Sequence, residues 1–194
     1  MRQRSILARI ALSAAAAAAV WVASGCGGEK IEYARFEDPQ RAFTVELPAS
    51  IKMTETARWQ EDLTLDTRAT CIQYDAVSDE VTYRVGVMLV RVGDFLPGAT
   101  PDSRARQMVE SGLKAAGFSE YEISGLERGG IPVIRARAER LKDGQRLVGI
   151  AESYIMRGES LLVMVVATKD AAQENPSVAH FFESFRPLGI PIGP

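Results

Sequence analysis

Histidine is almost missing from this 194-residue chain, which contains only His180. Cysteine is nearly as scarce, with Cys26 and Cys71 alone. A nucleophile–base–acid triad needs an imidazole beside a nucleophile and an orienting acid. A zinc centre uses several His or Cys ligands. This inventory favours neither, and two cysteines cannot form a disulfide framework. Cationic excess is missing too. The formal charge of −2 includes +3 from Arg2, Arg4 and Arg9, so the chain after Cys26 carries −5. That balance argues against a nucleic-acid partner, which calls for a basic face. It also gives no electrostatic attraction to anionic lipid. Neighbouring acids, Glu61-Asp62 and Asp79-Glu80, point to opposite faces of an extended chain and do not converge. No run of calcium ligands is present, and Gly129-Gly130 precedes a strand pattern rather than a helix, so it is a turn and not a phosphate cradle. The "ESGLK" at 110–114 falls inside a helix pattern and is not a nucleophile elbow. The expectation is a protein without a metal or cofactor and without an enzymatic activity.

The first 25 residues are a different kind of sequence. Three arginines lead "IALSAAAAAAVWVA", which is uncharged, and small residues follow. This is the layout of a secretory signal peptide. A membrane-spanning helix is the competing reading, but the alanine content makes the run weakly hydrophobic and no basic flank follows Gly28. "ASGC", residues Ala23, Ser24, Gly25 and Cys26, resembles the lipobox of bacterial lipoproteins, in which Leu often stands where Ala23 does. The resemblance implies cleavage between Gly25 and Cys26 and a thioether-linked diacylglycerol on Cys26. Two or more acyl chains anchor stably where one is marginal. Gly27 lacks the Asp that often retains lipoproteins in an inner membrane, which favours an outer membrane where the cell has one. The expected partition is a signal peptide at 1–25, a lipidated tether at 26–35, one domain at 36–188 and a frayed tail at 189–194.

The domain reads as strands, helix, strands, helix, with 46% apolar and 25% charged residues overall. "FTVELP" alternates and stops at Pro48; residues 63–77 read as one long alternating strand carrying Leu63, Leu65, Ala69 and Cys71 on one face. Val81, Tyr83, Val85, Val87 and Leu89 share a face of a central strand. The period then changes. Ala105, Met108, Val109, Gly112, Leu113 and Ala116 predict a helix, with Thr100 as cap, Pro101 at its first position and Gly117 at its end. Strands are expected at about 121–126, 133–141, 146–156 and 160–168, with Asp143-Gly144 as a hairpin turn. "LLVMVV" is apolar on both sides and belongs inside the sheet. Asn175 and Pro176 open a last helix whose apolar face holds Val178, Phe181, Phe182 and Phe185. The fold class is α+β, mostly antiparallel sheet with two main helices.

"FTVELP", "LLVMVVAT" and "FFESFRPL" together resemble the PsbP-like domain group over 36–188. The resemblance implies an antiparallel sheet between helices and a non-enzymatic domain that docks on other proteins. The group takes its name from an extrinsic photosystem II subunit, and its fold hosts unrelated functions, so no site residue carries over.

Three further positions matter. Cys71 is the odd cysteine once Cys26 is acylated; it reads as a small buried hydrophobe rather than a reactive thiol. His180 reads as a partly exposed helix residue. Trp59, Phe95 and Leu96 are candidate anchors of an interaction surface, weighed against folding back over the core. The leading expectation is an exported, lipid-anchored domain that binds an unknown envelope protein or component. A carrier of an apolar ligand and an envelope enzyme using acids or Cys71 are the alternatives.

Overall fold

The computed structural model describes residues 30–62, 68–89, 100–157 and 159–190. Along the chain run β1 (Tyr33–Glu37), β2 (Phe43–Pro48), β3 (Thr54–Asp62), β4 (Arg68–Val77) and β5 (Val81–Leu89). Helix α1 (Pro101–Ala115) follows, then β6 (Glu122–Arg128), β7 (Ile131–Lys142), β8 (Gln145–Met156) and β9 (Glu159–Thr168). Helices α2 (Lys169–Glu174) and α3 (Pro176–Ser184) and the short β10 (Arg186–Pro187) close the fold.

Two antiparallel meanders, β3-β4-β5 and β6-β7-β8-β9, meet edge to edge. β5 pairs with β9, giving a seven-stranded sheet in the order β3-β4-β5-β9-β8-β7-β6. A second sheet, β1-β2-β10, has three strands. One face of the large sheet carries Tyr74, Tyr83, Val85, Ile150, Tyr154, Leu161 and Val163 into the main core. Phe43 and Val45 of the small sheet and Phe181, Phe182 and Phe185 at the chain's end cover that face. Each fully buried aromatic there contributes about 1.5–3 kcal/mol of transfer free energy. On the opposite face Ala105, Val109 and Leu113 of α1 pack with Phe118 on Ile134, Ala136, Ala151, Ile155 and Met164.

The local rules act as the sequence foretells. Thr100 accepts from the Ser103 amide, and Ser103 closes the reciprocal bond, so α1 begins at Pro101 with both orphan donors satisfied. Asp143 (φ 51°) and Gly144 (φ 80°) are both left-handed, the geometry of a two-residue turn between β7 and β8. Asn175 caps α3 by accepting from Ser177 N at 2.9 Å. β9, fourth of the seven strands, is covered on both sides.

Four details differ from expectation. The 26–35 tether is too long, because β1 starts at Tyr33 and pairs Tyr33 with Pro48 and Arg35 with Glu46. β3 was not expected, and it pairs with β4, which covers 68–77 of the strand expected at 63–77; residues 63–67, with Leu63 and Leu65, lie outside the described residues. Three helices replace two, since Thr168 caps the six-residue α2 directly off β9. The tail expected to fray at 189 is held at its start, where Ile190 O accepts from Arg157 N at 2.7 Å; residues 191–194 lie outside the described residues.

Candidate functional site

The two meanders are not covered equally. α1 packs mainly on β7, β8 and β9 and reaches β5 through Arg104 and Met88. The face it would have to cover on the first meander alternates as strands must, presenting Cys71 and Gln73 on β4 and Arg84, Gly86 and Met88 on β5. Trp59 and Glu61 of the edge strand β3 stand beside them, in register with Cys71 and Ala69. Between this face and α1 lies a groove of about 350 Å³.

Its floor is set by Gly86 and Leu162, paired across β5 and β9. A Cβ at Gly86 would meet Leu162 Cβ at 3.6 Å, so the missing side chain leaves the floor low at this point. α1 supplies one wall with Arg104, Met108, Ser111, Gly112 and Ala115. Gly112 lets the helix approach closely, because a Cβ there would stand 2.6 Å from Leu162 Cδ2. Met88, Met108, Met164 and Cys71 put four sulfur atoms around the cavity, a soft lining that adapts to its contents. The groove also separates two apolar clusters. Ala69, Cys71 and Met88 form one, and the α1 core forms the other.

Polar groups lie at the ends. Arg104 Nη2 donates to Met88 Sδ at 3.8 Å, reaching from α1 towards β5, and burial draws its guanidinium below the ordinary value. Arg84 Nε donates to Asp75 Oδ1 at 2.7 Å. Burial pushes the Asp75 carboxyl up, but hydrogen bonds from Arg84, Thr56 and Gln73 outweigh it and hold it below the usual range. Cys71 is 3% exposed and its Sγ donates to Glu61 Oε2 at 3.5 Å. Burial, reinforced by the Glu61 charge, pushes that thiol up to about 12.

His180 sits elsewhere, on α3. Its Nε2 lies 2.8 Å from Glu46 Oε2, and its ring packs on Tyr33 with centroids 3.8 Å apart. With Arg35, Thr44, Glu183 and Arg186 it lines an open polar dish of about 530 Å³ over the small sheet. Cys71 and His180 therefore belong to different sites on opposite sides of the large sheet. The structure places Trp59, 46% exposed, on the rim of the groove. Gly25, Cys26, Phe95 and Leu96 lie outside the described residues. Met88, Arg104 and Leu162 were not singled out from sequence, and Met108 was read only as part of the apolar face of the helix. The one local hint was Gly86, a glycine inside a strand pattern, which marks a close approach or an open space.

A seven-stranded antiparallel sheet with a helix on one face, and a small sheet plus a terminal helix on the other, defines an α+β sandwich. Among solved structures this arrangement is shared with cyanobacterial PsbP (CyanoP) from Synechocystis sp. PCC 6803, with a TM-score of 0.54 and 12% identity over 84% of this chain and 98% of that one. The PsbP fold expected from the sequence is thereby supported. Weaker likenesses are to PA94 of Pseudomonas aeruginosa, described as of unknown function and a putative regulator (TM-score 0.39, 11% identity, 80% and 96% covered), and to LpqN of Mycobacterium tuberculosis, described as involved in cell envelope biogenesis (0.42, 15%, 70% and 90%). No protein-family model matches the chain, and no curated protein matches it in sequence.

Proposed function

We propose that this protein is an exported lipoprotein, anchored through Cys26, whose α+β domain holds an envelope component in the groove beside α1 without chemically changing it. The observation that carries the reading is the groove itself: a preformed concavity with an apolar floor and polar ends, in the size range of ligand sites. The nucleophile nearest to hand argues for binding over catalysis. With its thiol at about 12, Cys71 is almost wholly protonated at neutral pH, and the thiolate is the reactive form. Export is supported by the arginine-led apolar segment and the "ASGC" boundary.

The test is photo-crosslinking in cells, with a photoreactive residue at Gln107 on the groove wall or at Glu139 on β7, away from it. The reading expects a discrete adduct from position 107 and none from 139. Equal yields at both positions would remove the groove from the function. Cys71→Ala should leave the adduct and any phenotype of the protein intact. A lost phenotype with the adduct retained would point back to an enzyme.

A further inference from the structure

We propose that the occupant of the groove is the single acyl chain of an amphiphile, lying along α1. This rests on the reading that the groove is the binding site, and it names the ligand's chemistry. The volume sets the scale. About 350 Å³ lies at the lower end of the range for small-ligand sites. Ser103 to Ala115, the ends of the α1 wall, span about 18 Å of helix axis.

Another occupant fits less well. An extended peptide fits by width, but the floor is the face of a sheet and not its edge. Its backbone N–H and C=O groups would lie on Gly86, Leu162, Met88 and Met164 and stay unpaired. An acyl chain has no such groups. It would join the Ala69–Cys71–Met88 cluster to the α1 core, completing an apolar layer that the protein leaves divided. Methionines on both walls suit a flexible chain of no fixed shape.

The test uses the full chain in a bacterium that processes lipoproteins, fed a twelve-carbon fatty acid with a diazirine near its methyl end. After irradiation the protein is digested and its adducts are mapped. Expected are adducts on the peptides bearing Met88, Met108 or Met164, falling at least tenfold in Gly86→Phe, whose side chain fills the floor. Ser111→Phe, on an exposed position of the wall, should do the same with the circular dichroism spectrum unchanged, so a folding defect in the first variant leaves the second to decide. Adducts spread evenly over exposed peptides such as those of β1 and β6, or undiminished in Ser111→Phe, would overturn the proposal. The Gln107 crosslink reads the wider reading separately. A discrete protein adduct there with no fatty-acid adduct in the groove sinks the acyl chain and keeps the binding site.

Discussion

Side-chain environment decides the outcome of substitutions that look alike on paper. At Gly149 on β8, a Cβ would stand 2.8 Å from both Leu113 Cδ2 and Phe118 Cε2, and those side chains are fully buried with nowhere to move. Gly149→Ala should destabilise the domain by about 1–3 kcal/mol, the ordinary cost of overpacking, measured by denaturant unfolding. At Gly112 the obstacle is the end of Leu162, a half-buried side chain with the groove beside it. Leu162 can turn into that space, and alanine raises helix propensity by about 1 kcal/mol. Gly112→Ala should therefore be near neutral in stability and should narrow the groove. If both substitutions cost the same, the groove is not open space. Glu159 gives the pH-dependent case. Burial, and then the buried Asp38 nearby, raise its carboxyl above the ordinary value. The folded state thus holds that proton more tightly than the unfolded one, a contribution present at low pH and lost as pH rises through the raised value. At neutral pH the ionised group is a cost. Glu159→Gln should raise the melting temperature at pH 7, and the advantage should vanish as pH falls below about 4.

Elements differ in how much of themselves they write into the sequence. α1 is legible because its caps and its period agree: Thr100, Pro101 and Ser103 fix the start, and Ala105, Val109 and Leu113 fix the buried face. Thr100→Ala removes an acceptor for the Ser103 amide and should cost about 1 kcal/mol in a thermal melt. β7, β8 and β9 are legible because Asp143-Gly144 dictates the turn and long apolar runs dictate burial. β3 left no such trace. It is an edge strand, exposed along most of its length and bulged between Glu55 and Ala57, so "TETARWQED" shows no apolar alternation. β1 escapes for a similar reason, with only Tyr33 and Phe36 facing inward. The groove was legible only in part. Trp59, Cys71 and the helix face were each visible, but the space between them exists because α1 packs mainly on one meander. That is a tertiary choice, and no local pattern encodes it.

For the whole molecule, the lipoprotein proposal raises the question of what would keep the domain at a membrane. Among the described residues no helix is long and apolar enough to cross one. The chain after Cys26 carries −5, so headgroup charge gives no adhesion, and a salt-sensitive association would contradict the composition. Under the lipoprotein proposal the acyl chains on Cys26 carry the whole attachment, with two chains enough for stable anchoring. From Cys26 to Tyr33, where β1 begins, the chain can reach at most about 25 Å, so the domain stays close to the bilayer surface. The wild-type protein should accordingly stay in the membrane fraction through a 1 M salt wash, roughly a 3 Å Debye length, and leave it only with detergent. Cys26→Ser should either release a soluble domain or accumulate as the uncleaved precursor, heavier by the signal segment. Immunoblotting of fractionated cells separates these outcomes from the one that refutes the anchor, a Cys26→Ser protein of wild-type mass that remains membrane-bound.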